Sequence, residues 1–141
     1  MSKAEQTLFW EGDFGNQYTE RNQVQPQARA DFFRKILATA PGIRSLCELG
    51  ANKGHNLKAI QLVDKSVALT GVEINRAACE QMGTDRGINA VCSSIQEFAP
   101  QKQFDLVFSC GVLIHLPPAD LPAVYQTVSY THLTLPTKRI V

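Results

Sequence analysis

The stretch Glu48-Leu-Gly50-Ala51-Asn52-Lys-Gly54-His55-Asn56 follows an apolar run and opens a helical pattern. That is the context in which a glycine-rich turn holds a ligand. Gly50 permits a sharp turn, and Gly54 permits close packing of the helix start, because neither carries a Cβ. The spacing argues against a dinucleotide. A dinucleotide turn places its third glycine five residues after the first, whereas Gly54 follows Gly50 by four and Asn52 stands at the middle position. A helix N-terminus already favours anions, so a pyrophosphate has little use for an acid just upstream. Glu48 is such an acid, and it suits a cationic group. Glu73 ends the next apolar run, about 20 residues past the turn, where an acid accepts ribose hydroxyls. A solvated acid ahead of a helix is the alternative.

The pattern E-x-G-x-N-x-G resembles motif I of the class I S-adenosylmethionine (SAM) methyltransferases. The resemblance implies that Glu48 holds the cofactor's amino group and that Gly50, Ala51, Asn52 and Gly54 hold its methionine portion. Glu73 and the adjoining Ile74 take the ribose. By the same analogy Ser94 and Ile95 lie near the adenine, although Ser94 with Glu97 reads equally as a helix cap. Ser109, Cys110 and Gly111 leave the fourth strand beside the cofactor. His115, the histidine of that segment, is either a general base or a packing residue before Pro117 and Pro118. His55, at the first turn of a helix, reads as no more than a cover for the turn.

The whole chain resembles a narrower family, the methylases associated with pseudaminic (nonulosonic) acid biosynthesis. The residues that carry this are Phe9-Trp10, Glu11-Gly-Asp-Phe-Gly-Asn16-Gln-Tyr18-Thr-Glu-Arg21-Asn22, Glu48 to Leu57, Gly71-Val-Glu73-Ile-Asn75, Phe104-Asp-Leu-Val107 and Gly111-Val-Leu-Ile-His115. It implies transfer of a methyl group to an oxygen or nitrogen of a small, sugar-derived acceptor. It also implies that Tyr18, Arg21 and Asn22 line the cofactor or acceptor pocket. The family pattern continues through further strands, so the chain reads as truncated after about four strands.

These residues need a scaffold. Residues 1–27 form an aromatic arm bearing Phe9, Trp10, Phe14 and Tyr18, which should dock on the domain rather than stay in solvent. Residues 28–127 read as a partial cofactor-binding domain. Helical spacing runs over 28–40, 56–63 and 76–86, and again from Ala119, with strands over 43–49, 67–73, 90–92 and 104–110. Alternation of this kind predicts α/β architecture, a Rossmann-like parallel sheet with ligands beyond the carboxyl ends of its strands. Phe104 and Phe108 read as core. A half-sheet leaves an edge and a face uncovered, so marginal stability is expected.

Residues 128–141, VSYTHLTLPTKRIV, read differently. Val128 to Thr137 match the translation of a transposase adapter used in DNA-library preparation. We expect this tail to be an adapter-derived artefact, which removes His132, Lys138 and Arg139 from functional consideration.

The net charge of +1 gives no footprint for nucleic acid or an anionic membrane. No apolar run reaches membrane-spanning length, and no signal peptide opens the chain. Cys47, Cys79, Cys92 and Cys110 are scattered without CxxC pairs, so neither a disulfide nor a metal site is expected. Free thiols point to a reducing cytoplasm. Two rival readings stand beside the enzyme. One is a non-catalytic SAM- or nucleotide-binding fragment, the other an NAD-dependent oxidoreductase, which the glycine spacing disfavours. The expected partner is a small-molecule acceptor, and nothing in the sequence addresses the oligomeric state.

Overall fold

A computed structural model of the chain describes residues 3–129. Two short helices, α1 (Lys3–Glu11) and α2 (Asp13–Arg21), form the arm, and α3 (Pro26–Thr39) leads into the sheet. There follow β1 (Ser45–Leu49), α4 (His55–Val63), β2 (Ala68–Glu73), α5 (Arg76–Gly83), β3 (Ile88–Cys92) and β4 (Leu106–Ser109). Two 3-10 turns, Leu113–His115 and Pro118–Asp120, precede α6 (Leu121–Val128). The boundaries lie within a few residues of the periodicity. The largest difference is α5, which stops at Gly83 rather than Arg86.

The four strands are parallel, in the order β3-β2-β1-β4. The chain therefore moves outward from β1 to β3 and then returns to the other side of β1. This reversal makes the carboxyl ends of β1 and β4 the switch point, the place where open α/β sheets bind ligands. Asp105 ties these strands at their opposite ends, its Oδ2 accepting from Arg44 N at 2.7 Å and Ser45 N at 2.9 Å.

Alternation along the strands sends residues to two cores. Leu46, Leu69 and Phe108 pack with Phe33, Leu57, Ile60 and Met82 on one face. Cys47, Leu49, Val72 and Val107 pack with Phe104, Val124 and Val128 on the other. Phe104 and Phe108 are thus both core residues, and β4 is buried on both faces as its apolar run predicts. Val128 closes α6 within the second core, while residues 130–141 of the adapter-like tail lie outside the described residues.

The cysteine expectation fails. Cys79 and Cys92 form a disulfide, their Cα atoms 5.6 Å apart. The β2-α5-β3 crossover lays α5 against β3, which brings together two cysteines separated by 13 residues. Local spacing carries no trace of that geometry. Cys47 and Cys110 remain free, but the chain does not carry four free thiols, and disulfides are rare in a reducing cytoplasm. Among the described residues, no helix is long and apolar enough to cross a membrane.

Candidate functional site

Beyond the carboxyl ends of β1 and β4, a cavity of about 330 Å³ opens beneath the arm. Its floor is the turn after β1. Gly50 has φ +77, and a Cβ there would stand 2.4 Å from Val112 Cγ2, so the turn accepts no side chain without displacing the neighbouring loop. Asn52 also takes a left-handed conformation, with φ 51. Gly54 caps α4, and the site of its missing Cβ faces Met82 and Ile88, away from the cavity.

Two carboxyls face the cavity from adjacent strands. Glu48 lies on the same face of β1 as Leu46, beneath α4, and is 2% exposed. Asn56 Nδ2 donates to its Oε1 at 2.6 Å, and Arg29 donates in turn to Asn56 Oδ1. Glu48 Oε2 has no partner. Burial pushes the Glu48 carboxyl up to about 8, against the opposing pull of Asn56 and Arg29 and with a further push from Glu73. Glu73 ends β2. Its Oε2 accepts from Asn52 N at 2.7 Å and its Oε1 from Asn75 N at 2.8 Å. A carboxylate has about four acceptor sites, so capacity remains for a ligand beside these backbone donors. Burial raises the Glu73 pKa above the ordinary value, and the backbone N–H groups of Asn75, Asn52 and Ile74 offset part of that rise.

Among the described residues, three buried side-chain polar atoms have no hydrogen-bond partner: Gln6 Oε1, Glu48 Oε2 and Asn52 Oδ1. All three residues line this cavity. Buried acceptors are almost always satisfied, and three orphans around one space describe a ligand that supplies the donors. The arrangement suits a molecule with a cationic group at Glu48 and a pair of hydroxyls at Glu73.

The arm forms the roof. Asn75 caps α5 through its Oδ1, which accepts from Ala78 N at 3.0 Å. Its Nδ2 donates to Trp10 O at 3.1 Å and to Asn16 Oδ1 at 2.9 Å. The His55 ring Nε2 meets Asn22 O at 2.9 Å, and burial lowers the His55 pKa. Gly15 is buried at the contact, where a Cβ would lie 1.8 Å from Trp10 O and 2.9 Å from Asn75 Nδ2. The arm docks, as its aromatics suggest, but polar clasps do much of the holding. Phe9, Phe14 and Tyr18 stay 37–41% exposed and pack on one another and on Trp10. Trp10 and Tyr18 line the cavity, and the Trp10 ring lies 5.0 Å from the His115 ring.

The sequence-selected residues divide accordingly. Glu48, Gly50, Ala51, Asn52, Glu73, Ile74 and Ile95 line the cavity, with Cys110, Gly111 and His115 at its β4 side and Tyr18 and Asn22 in the roof. Gly54, Ser94, Ser109 and Arg21 do not. Ser94 Oγ accepts from Glu97 N at 3.2 Å, the capping alternative, although a turn rather than a helix follows. Ser109 Oγ donates to Leu49 O at 3.0 Å and joins β4 to β1. Arg21 Nε donates to Gln17 O on its own helix. The sequence reading missed Gln6, Arg29, Asn56 and Asn75. Asn56 carried a signal, being a polar residue in the apolar stripe of a helix. Among the described residues, no group of three or more His, Cys, Asp or Glu side chains is gathered as a metal site requires.

Solved structures share this architecture. The plantazolicin methyltransferase BpumL, in complex with a pentazolic desmethylPZN analog and SAH, superposes with a TM-score of 0.68 at 18% identity. That match covers 89% of this chain and 52% of BpumL. The sugar N-methyltransferase KedS8 from Streptoalloteichus sp. gives 0.65 at 18% identity, covering 84% of this chain and 49% of its own. The magnesium protoporphyrin IX methyltransferase ChlM from Synechocystis PCC 6803, with bound SAM, gives 0.69 at 15% identity, covering 92% and 72%. This chain thus spans about half the length of BpumL and KedS8. No curated protein matches it by sequence. Residues 47–129, running from β1 through α6, match the family model described as a methyltransferase domain, and the chain belongs to that family.

Proposed function

We propose that the chain is the cofactor-binding part of a SAM-dependent methyltransferase acting on a small, sugar-derived acceptor in nonulosonic (pseudaminic) acid biosynthesis. The observation that carries the cofactor is the unpartnered, buried Oε2 of Glu48 opposite the ribose-type acid Glu73, across a cavity at the sheet's switch point. The amino group of SAM is a donor cation and its ribose offers two hydroxyls, which answers both carboxyls. Gln6 and Asn52 add acceptors on the same wall. The sugar acceptor rests on the resemblance of the arm, and is in keeping with a sugar N-methyltransferase among the similar structures.

SAM, when bound, supplies a methyl group made electrophilic by its sulfonium. The chain's residues bind and orient. Glu48 holds the amino group, the Gly50 turn gives the methionine portion close approach, and Glu73 fixes the ribose. Cys110, Gly111 and His115 border the space left for the acceptor. In this reading His115 receives the acceptor's proton, a role supported by its position at the cavity's β4 side, with the Trp10 ring 5.0 Å away. The arm excludes water from above.

Calorimetric titration with SAH and NADH tests the cofactor, and transfer of labelled methyl from SAM to nonulosonic sugars tests the acceptor. Binding of SAH without NADH supports the reading, and the reverse overturns it. SAH binding without transfer to any sugar leaves the chain as a SAM-binding module.

A further inference from the structure

The Cys79–Cys92 disulfide belongs neither to the glycine turn nor to the two acids, yet each half of it leads to a wall of the cavity. Cys79 sits one turn into α5, where its N–H donates to Asn75 O at 2.9 Å. Asn75 caps that helix and clasps the arm through Trp10 and Asn16. Cys92 ends β3 opposite Glu73 of β2. Just beyond it Ser93 N donates to Glu73 O at 3.0 Å, and the chain then reaches Ile95 and Gln96, which line the cavity. One covalent bond therefore couples the helix that holds the roof to the strand end that carries a side wall. Without it, α5 is held to the sheet by apolar packing around Leu57 and Met82.

The two sulfurs differ in access. Cys79 is fully buried, whereas Cys92 is exposed on a strand that edges the sheet among the described residues. A reagent in solution meets Cys92 first, and exposed disulfides are the ones that exchange most readily. We propose that Cys79–Cys92 is a reversible redox site that sets cofactor affinity, with the disulfide form holding roof and side wall in place and the dithiol form binding more weakly. Its reaction partner is a dithiol. One thiolate of that reductant attacks Cys92 Sγ, the bond between the cysteines breaks, and the electron pair leaves on Cys79 Sγ, which takes up a proton. The reductant's second thiolate attacks its own sulfur in the mixed disulfide and releases Cys92, which is protonated in turn. The protein gains two electrons and two protons, and the reductant ends as a disulfide. The direction follows from order, since a wall already fixed costs less to bind against. The inference rests on the cofactor reading above and adds a control over it.

SAH titrations of the full chain, oxidised and after reduction by dithiothreitol, decide it. The oxidised form should bind about tenfold more tightly, within the usual range of coupling between two sites, and reoxidation should restore the difference. Coupling is reciprocal, so saturating SAH should lower the midpoint potential of the disulfide by about 30 mV, the equivalent of tenfold for a two-electron couple. Cys92→Ser should bind SAH as weakly as the reduced wild type and ignore dithiothreitol. Circular dichroism melts check that the reduced protein and the variant stay folded, and the wild-type comparison stands whether or not the variant does. Equal SAH affinity in the two forms overturns the proposal alone and leaves the disulfide as a staple. Reduction that proceeds only with unfolding overturns it as well. A folded Cys92→Ser variant that still responds to dithiothreitol overturns it in favour of Cys110, an exposed free thiol lining the cavity. Failure of both forms to bind SAH overturns the cofactor reading, and the proposal with it.

Discussion

The side-chain amide of Asn75 donates to Trp10 O at 3.1 Å while its carbonyl oxygen accepts from Ala78 N at 3.0 Å, so one residue both caps α5 and clasps the arm. The two roles separate under substitution. Asn75→Ser retains a good N-cap but is too short to reach Trp10 or Asn16. We expect faster proteolysis between residues 11 and 25 and roughly tenfold weaker SAH binding, on the order of one lost hydrogen bond. Asn75→Ala should in addition lower stability by about 1 kcal/mol through loss of the cap. Limited proteolysis and thermal melts on both variants check this.

Glu48 makes the ligand-free protein sensitive to alkali. Its carboxyl titrates near 4.5 when unfolded and near 8 when folded, because burial disfavours the charge. Between those values the folded state holds a proton that the unfolded chain has lost. The corresponding stability is complete below pH 4.5 and is lost progressively as pH rises to about 8. Glu73 shifts in the same direction. His55, lowered by burial, acts oppositely but below its ordinary value of 6.5. Above pH 7 the carboxyl effect therefore dominates. Urea melts from pH 7 to 8.5 should show falling stability in the wild type, and Glu48→Gln should flatten the curve while abolishing SAH binding.

The same carboxyl couples binding to proton release. A cationic amino group against Oε2 favours the carboxylate, so a ligand that binds at pH 7 expels the Glu48 proton. Titration calorimetry of SAH in buffers of differing ionisation enthalpy should report release of about one proton. No release would mean that Glu48 stays neutral in the complex and is not the ammonium's partner.

Glu73→Gln replaces one acceptor oxygen with an amide NH2 facing the N–H groups of Asn52 and Asn75. SAH affinity should fall about tenfold or more. An SAH analogue lacking the 2′- and 3′-hydroxyls should bind wild type and variant alike.

Gly50→Ala tests the floor of the cavity. At φ +77, with Val112 Cγ2 2.4 Å from the new Cβ, the substitution should cost about 1–3 kcal/mol. Adding Val112→Ala relieves the collision but not the backbone strain. The double variant should therefore recover part of the loss, with a coupling of at least about 0.5 kcal/mol in melts.

The strands were legible because Leu46, Val72 and Val107 belong to apolar runs, and the two acids because Glu73 ends such a run and Glu48 interrupts one just before the glycine turn. Glu48 and Glu73 needed no tertiary information to be placed beside the turn. Asn75 was legible as a helix start and nothing more, since its second role depends on Trp10, 65 residues away. Arg29 left no local trace, because Asn56 comes to it 27 residues later. The Cys79–Cys92 disulfide was read wrongly for a related reason, as spacing along the chain does not encode how a crossover helix lies on its strand. Ser94 shows the opposite case. Both of its readings were open in the sequence and one residue can serve both; its hydroxyl accepts from Glu97 N.

The pairing of Leu49 with Ser109 joins β1 to β4 across 60 residues of chain. Contacts so distant in sequence form late in folding, since the intervening loop must close first. The cavity opens between the ends of these two strands, so no early intermediate with β1, β2 and β3 alone contains a complete binding wall. A ligand held there should bind only after that pairing has formed. Its presence should leave the folding rate nearly untouched and act almost wholly as a brake on unfolding.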